Sequence, residues 1–117
     1  ILISSFDHDL LRKVRQMSDT IAIGVLTSAL IKNLKKYMQL IDADAYHPNC
    51  YYESNSNGIK KLNLGGIASA LEDGNYVNVW TCNNKEDLRQ LLACGVSGVI
   101  SDFPNRVKEV IDNYVSQ

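Results

Sequence analysis

Six residues whose side chains suit the binding of a small ligand stand at or just after the ends of short β-prone runs: Ser5, Phe6, His47, Trp80, Asn83 and Asp102. Where parallel strands alternate with helices, the carboxyl ends of the strands meet on one rim, and ligands bind there. Phe6 and Trp80 supply an apolar wall, and His47, Asn83 and Asp102 supply hydrogen bonds. A pocket lined in this way suits a small polyol or a similar partly apolar ligand.

The elements that position these residues follow from hydrophobic periodicity. Strand-like runs begin near positions 1, 21, 43, 76 and 98, and a helical pattern of apolar residues follows each of them. This alternation predicts an α/β fold in which parallel strands are joined by right-handed crossovers.

Residues with short polar side chains mark the predicted helix starts. Asp7 or Ser5 is predicted to cap the first helix, Ser28 to open the second, and Asn83 or Asn84 to cap the fourth.

Proline and glycine mark further boundaries. Pro48 is predicted to end the third strand, and residues 49–63 to form the longest loop. A helix is expected between Ile59 and Asp73, weakened by the pair Gly65-Gly66.

Alternation within the strands predicts which side chains face inward. Val77 and Val79 suit packing against helices, whereas Asn78, Trp80 and Cys82 share the face predicted to point into a barrel. Two other strands give inward sets of the same kind: Ala43, Ala45 and His47, and Gly98, Ile100 and Asp102.

The composition is that of an ordinary globular domain. The chain has 117 residues, of which 45% are apolar and 21% charged, enough for one core. A net charge of -1 gives no electrostatic reason to expect nucleic acid or an anionic membrane as a partner. The basic residues at 12–15 and 35–36 are expected to form solvated helix faces.

Cysteine usage and hydropathy bear on the cellular compartment. The odd number of cysteines, without metal-like spacing, favours reduced structural thiols, although a Cys50–Cys82 or Cys82–Cys94 bridge stays open. No apolar run approaches the ~18 residues of a membrane span. We expect a cytoplasmic domain, or a soluble domain of a membrane-anchored parent. The start at Ile1, inside a strand-like run, suggests a piece of a longer protein.

Structural roles compete with the ligand-binding ones. Trp80 is equally typical of a core, His47 of a residue that satisfies backbone groups, and Asp102 or Asn83 of a helix cap. Ser4 and Ser5 suit donation either to a ligand or to a neighbouring strand, and His8 is expected to be exposed.

Four segments together resemble the glycerophosphodiester phosphodiesterase family. Residues 3–8, ISSFDH, resemble its "SSF" segment; residues 43–49, ADAYHPN, resemble "ADALHPN"; residues 77–83, VNVWTCN, resemble "VNVWTVN"; and residues 95–104, GVSGVISDFP, resemble "GVDGIITDxP". The four occur in this order at about the family's separations and cover essentially the whole chain, which identifies it as the C-terminal half of such a barrel.

This resemblance implies a (β/α)8 TIM-type barrel enzyme that hydrolyses glycerophosphodiesters to glycerol 3-phosphate and an alcohol. It implies two histidines as acid and base, and a divalent cation, Mg²⁺ or Ca²⁺, held by carboxylates. Those groups belong to N-terminal motifs of the family; His8 is not followed by Arg-Gly, and Asp42-Ala43-Asp44 is not the metal motif. The residues that carry over are those of the substrate side: Ser5, Phe6, His47, Trp80, Asn83 and Asp102.

Two hypotheses follow for residues 1–117 as one unit. In the first, the chain supplies the substrate-side half of a phosphodiesterase barrel, binds no metal itself and is inactive alone. In the second, it is a non-catalytic half-barrel that binds a small polyol phosphate or self-associates through its open edges.

Overall fold

The computed structural model describes residues 2–28, 31–53 and 60–115, with the backbone alone for Glu53 and Val115. Five parallel strands form the main sheet, in the order of the chain: β1 (Leu2–Ser5), β2 (Ala22–Thr27), β3 (Ala45–Pro48), β6 (Tyr76–Val79) and β7 (Gly98–Val99). A separate antiparallel pair consists of β4 (Tyr51–Glu53) and β5 (Lys60–Leu62). The five predicted strands and their parallel pairing are confirmed.

The helices alternate with the strands as predicted: α1 (His8–Met17), α2 (Leu34–Ile41), α3 (Leu64–Glu72), α4 (Lys85–Cys94) and α5 (Pro104–Val115). The core lies between these helices and one face of the sheet. Strand residues such as Val25, Val77 and Val79 are fully buried there, together with Leu11 of α1 and Leu91 of α4. Burial of this apolar surface is the main stabilising contribution to the fold.

The other face of the sheet, which we call the inner face, carries exposed apolar side chains. Leu2 is 45% exposed, Phe6 58%, Tyr76 68% and Ile100 51%. Strand alternation places all of them opposite the buried valines. Among the described residues, helices therefore cover only one face of the sheet, which is unusual for parallel strands because these are normally buried on both sides.

The predicted loop of residues 49–63 contains β4 and β5 in its described part, and residues 54–59 lie outside the described residues. Backbone bonds anchor a hairpin there, since Cys50 N–H donates to Trp80 O at 2.7 Å and Asn63 N–H donates to Cys50 O at 2.8 Å. The side chain of Tyr51 reaches Asp87 on α4 at 2.6 Å. These partners lie far away in the sequence, which is why local turn signals did not reveal β4 and β5.

One of two predicted boundaries is confirmed and the other is wrong. Pro48 is the last residue of β3, as predicted, and its carbonyl accepts from Trp80 N–H at 3.2 Å. The second helix begins at Leu34 and not at Ser28, because Asn33 has a left-handed backbone with φ 52°. Residues 29 and 30 lie outside the described residues.

Helix caps settle the alternatives left by the sequence. Asp7 caps α1 by accepting from Leu10 N–H, and Asn84 caps α4 by accepting from Asp87 N–H, each at 3.1 Å. The basic run of α1 is only partly solvated, because Arg15 donates to the Asp44 carboxylate at 2.7 Å.

The two adjacent glycines of α3 give a matched test of packing. A Cβ on Gly65 would meet nothing within 4 Å, whereas one on Gly66 would lie 2.7 Å from Asn63 Oδ1, the group that caps this helix. Gly65→Ala should therefore raise the free energy of unfolding by about 0.5–1 kcal/mol, because it lowers the entropy of the unfolded chain. Gly66→Ala should lower it by about 1 kcal/mol through displacement of the cap. Urea unfolding followed by circular dichroism measures both; equal effects of the two substitutions would contradict this assignment.

Candidate functional site

An aromatic pair stands at the carboxyl ends of β1 and β6. The rings of Phe6 and Trp80 meet edge to face, with centroids 5.8 Å apart and planes at 90°. The indole Nε1–H of Trp80 donates to the carbonyl oxygen of His47 at 2.8 Å, which fixes the ring orientation. The two rings that the sequence predicted to form an apolar wall therefore meet, on the open side of the sheet.

Beneath this wall, the ring of His47 links three strands. Its Nδ1 lies 2.8 Å from Ser4 Oγ on β1, and its Nε2 lies 2.9 Å from Asn78 Nδ2 on β6. Since an amide nitrogen only donates, Nε2 accepts and Nδ1–H donates to Ser4. His47 is 5% exposed, and burial lowers its pKa from the ordinary value. The imidazole is consequently held neutral, as part of the floor of the site.

Two glycines leave room for these polar side chains. A Cβ on Gly24 of β2 would lie 2.5 Å from the imidazole carbon Cε1 of His47, and one on Gly98 of β7 would lie 2.6 Å from Asn78 Oδ1. Side chains at either position would push the network off the sheet. We call Ser4, Gly24, His47, Asn78 and Gly98 the polar belt; it crosses all five strands of the main sheet.

Asn83 and Asp102 form a second polar group at the end of β7. Asn83 Nδ2 donates to the Asp102 carboxylate at 3.1 Å, and Asn83 Oδ1 accepts from Ser101 Oγ–H at 2.8 Å and from Asp102 N–H at 3.0 Å. Arg106 of α5 donates to the Asn83 carbonyl at 3.1 Å. These hydrogen bonds connect the end of β7 and the first turn of α5 to the segment that precedes α4. Just before α5, Ser101 Oγ accepts from Phe103 N–H at 3.1 Å, while the Asp102 carboxylate is bonded to Asn83.

Of the two serines at the end of β1, Ser4 and not Ser5 faces the polar belt. Ser5 is registered with the buried Val25, and its hydroxyl accepts from Asp7 N–H at 2.9 Å, so that it serves the start of α1. Ser4 and Asn78 both bond the His47 ring at this candidate site, and neither is among the six residues predicted from the sequence. Strand alternation was the signal that could have found both, because each shares a face with Phe6 or Trp80.

Cys82 does not face inward, although the sequence predicted that it would. The strand ends at Val79, and Cys82 is fully buried beside Cys50 and Tyr51 in the core behind the rim.

His8 was expected to be exposed, but it is half-buried. Its Nε2–H donates to Leu26 O at 2.9 Å, and its Nδ1 accepts from the Tyr37 hydroxyl. Both ring nitrogens therefore have structural partners.

Metal ligands are the remaining question for this site. Within the described ranges, no group of three or more His, Cys, Asp or Glu side chains could hold a metal ion. Asp102 is bonded to Asn83, and Asp44 is paired with Arg15. The carboxylates that the structure describes at this site therefore do not fit a divalent cation.

The lengths of the helices bear on whether the chain could cross a membrane. Among the residues described, the longest helix has 12 residues, and none has the length and apolarity needed to cross a membrane.

The neutral state of His47 gives a pH prediction. Because burial lowers its pKa, the unfolded state binds a proton at His47 more readily than the folded state does. This contribution to stability is complete above the ordinary pKa of 6.5 and is lost as the pH falls through 6.5 towards the folded value. Urea unfolding midpoints between pH 8 and pH 5 should fall more steeply for the unaltered chain than for His47→Gln. Parallel slopes would show that the ring is not held neutral.

Comparison with known proteins places this chain in a family. The profile of the glycerophosphoryl diester phosphodiesterase family matches residues 1–106. A glycerophosphodiester phosphodiesterase of Bacillus altitudinis is 31% identical over 111 residues, which are 94% of this chain and 42% of that protein. One from Caldanaerobacter subterraneus subsp. tengcongensis is 27% identical, over 95% of this chain and 42% of its own length.

Solved structures agree on the architecture. A putative glycerophosphoryl diester phosphodiesterase from Silicibacter pomeroyi has a TM-score of 0.77 at 20% identity, over 97% of this chain and 38% of that one. An Oleispira antarctica phosphodiesterase, solved in complex with the product sn-glycerol-3-phosphate, has a TM-score of 0.77 at 22% identity, over 95% of this chain and 41% of that one. The chain thus spans about two fifths of these relatives and forms part of a (β/α)8 barrel, as predicted. The match over residues 1–106 shows that it belongs to the glycerophosphoryl diester phosphodiesterase family.

Proposed function

We propose that residues 1–117 are the C-terminal half of a glycerophosphodiester phosphodiesterase barrel and form the substrate-side wall of its pocket. The observation that carries the proposal is the edge-to-face pair of Phe6 and Trp80 above the neutral His47, on an otherwise uncovered sheet face. The open face has the position at which TIM-type barrels bind substrate, at the carboxyl ends of the strands.

The chemistry of the wall suits the glycerol part of such a substrate. The carbon chain of a glyceryl group packs against aromatic rings, and its hydroxyls need a few hydrogen-bonding groups nearby. Phe6 and Trp80 supply the apolar surface, and the Asn83–Asp102 pair supplies polar groups at the neighbouring strand end. The polar belt beneath holds Trp80 in place, because the carbonyl oxygen of His47 accepts the indole N–H of Trp80.

We propose that the groups that perform the chemistry come from the rest of the barrel. Both histidines of this chain are occupied by structural hydrogen bonds, His8 with Tyr37 and Leu26, and His47 with Ser4 and Asn78. Acid-base catalysis of phosphodiester hydrolysis needs groups that reach the substrate, and a divalent cation needs several carboxylates. The chain alone should therefore be inactive, and the completed enzyme should release glycerol 3-phosphate.

Complementation tests this proposal. The N-terminal part of the Bacillus altitudinis relative, up to the start of its match with this chain, is fused to residues 1–117 and assayed for hydrolysis of glycerophosphocholine with Mg²⁺ or Ca²⁺. The fusion protein should turn over, and the chain alone should not. Trp80→Ala in the fusion protein should lower kcat/KM about tenfold or more, since about 1.4 kcal/mol of binding energy corresponds to each factor of ten.

Tyr114→Ala serves as the control. Tyr114 is an aromatic residue of α5 that is 51% exposed, and α5 belongs to the helices and not to the inner face of the sheet. Equal losses for Trp80→Ala and Tyr114→Ala, or turnover by the isolated chain free of contaminants, would contradict the proposal.

A second candidate function is a half-barrel that closes on a second copy. The exposed apolar residues of the inner face favour it, because an uncovered apolar patch on a soluble protein marks an interaction surface. Two half-barrels facing each other would cover it on both copies.

Sedimentation velocity measures this directly. The isolated chain should sediment as a dimer or a higher oligomer, and Ile100→Lys, which places a charge on the inner face, should shift it towards the monomer. Met17→Lys, at a position 86% exposed on α1, is the control that should leave the distribution unchanged. A folded chain that stays strictly monomeric would argue against self-association.

A further inference from the structure

A cavity in the helical layer lies outside the candidate site at the strand ends. It opens between α2 and α3 and has a volume of about 300 Å³. Tyr46 of β3 is one of its lining residues, and strand alternation directs that side chain away from the inner face that holds the ring of His47. The volume is at the lower end of the range for ligand pockets, so the cavity suits a small molecule.

The hydroxyl of Tyr46 is a polar group at this cavity without a protein partner. Tyr46 is only 3% exposed, and its hydroxyl has no hydrogen bond to any residue that the structure describes. Every described side-chain polar atom that is sealed from solvent does have a partner, so this hydroxyl opens into the cavity. Burial raises the pKa of the Tyr46 phenol, which therefore stays a hydrogen-bond donor at neutral pH.

The amide of Asn63 adds a second donor to the cavity. Asn63 is 7% exposed, and its Oδ1 accepts from Gly66 N–H at 3.2 Å, which fixes Nδ2 as the other end of the amide. Within the described part of the chain, Nδ2 has no partner. Buried polar groups normally have hydrogen bonds, and two side chains that are more than nine-tenths buried here offer donors that the protein does not use.

The N-terminus of α2 forms one wall of the cavity. Asn33, Leu34 and Lys35 line it there, and the side chain of Asn33, whose backbone is left-handed, makes no capping bond to the helix. The first N–H groups of a helix have no partners within the helix and carry the positive end of its dipole. Together with the charge of Lys35, this wall favours an anionic group.

The wall formed by α3 has the opposite charge. Ser69 lies on α3, Asp73 is the residue at its C-terminal cap, and both line the cavity. Neither Asp73 nor Lys35 forms an ion pair with any residue in the described ranges. A cation and an anion thus border the same cavity without pairing with each other.

We propose that this cavity binds a small zwitterion, whose carboxylate or phosphate lies at the N-terminus of α2 and whose ammonium group lies at Asp73. The anionic group accepts hydrogen bonds from the first turn of α2, from the Tyr46 hydroxyl and from Asn63 Nδ2. The ammonium group donates to Asp73 and to Ser69 Oγ. The site stands independently of the proposed hydrolase function, because it lies in the helical layer and not on the inner face of the sheet.

A titration of ¹⁵N-labelled residues 1–117, followed by NMR, tests the site. The zwitterionic probes are L-serine, which carries a carboxylate, and phosphoethanolamine, which carries a phosphate; inorganic phosphate and ethanolamine each carry only one of the two charges. At least one zwitterion should saturably shift the backbone amide signals of Leu34 and Lys35, and the single-charge probes should bind about tenfold more weakly or less. Saturation by neither zwitterion, or equal affinity for inorganic phosphate, would overturn the proposal.

Tyr46→Phe tests the buried hydroxyl. Because that hydroxyl has no partner in the described part of the chain, its removal should leave the urea unfolding midpoint unchanged or raise it, while the affinity for the zwitterion falls about tenfold. Tyr51→Phe is the matched control. The Tyr51 hydroxyl donates to Asp87 at 2.6 Å, so its loss should lower the unfolding midpoint and leave the affinity unchanged. Equal affinities of the two variants would overturn the assigned role of Tyr46.

Asp73→Asn tests the ammonium end of the site. It should weaken binding of the zwitterion about tenfold, because an ion pair is replaced by a neutral contact. Glu72→Gln removes a neighbouring exposed charge of α3 that does not line the cavity, and it should leave the affinity unchanged. Equal losses for the two variants would show a general effect of charge and would overturn the placement of the ammonium group at Asp73.

Discussion

The imidazole of His47 occupies the space that a side chain on Gly24 would fill, and this fit organises the site. With its ring seated there, His47 bonds Ser4 and Asn78 across the sheet, and its carbonyl accepts the indole N–H of Trp80. Trp80 in turn meets Phe6. Gly24 cannot be replaced without moving the His47 ring, because a methyl group at this position of β2 would occupy the space of the imidazole. A single glycine thus connects the packing of the central strands to the geometry of the rim.

The uncovered inner face imposes the second constraint. A parallel sheet normally has helices or a closed cylinder on both sides, and this one has helices on only one. The exposed positions on the inner face are the ones that a closed barrel would bury, while the polar belt across the same face supplies hydrogen bonds among its own members. The face is therefore suited to contact another arc of barrel, with its aromatic end left for a ligand. Similarity to solved phosphodiesterases over nearly the whole chain agrees with a partial barrel.

Local patterns predicted the strands, the helices and the inward-facing Asn78 and Trp80, though not the core position of Cys82, because strand alternation and helical periodicity depend on near neighbours. Those patterns carry no information about contacts between residues that are distant in the sequence. Ser4 lies 43 positions from His47, and Asn78 lies 31 positions from it, so no local signal showed that His47 would be neutral and buried. The hairpin escaped prediction for the same reason, since Tyr51 is held by Asp87 on α4. Pro48 ends β3 as the local rule predicted, but its carbonyl, which proline retains, accepts from Trp80 N–H, a distant partner that the rule could not identify.

Trp80 is the sole tryptophan of the chain and offers a direct view of the rim. Residues 1–117, labelled with ¹⁵N, would be assembled with an unlabelled complementary half-barrel, so that the spectrum contains one indole N–H signal. Titration with sn-glycerol 3-phosphate should move that signal saturably, because the ligand would pack against the ring whose N–H is held by the His47 carbonyl. An indole signal that stays in place while the ligand demonstrably binds the assembled protein would contradict the account.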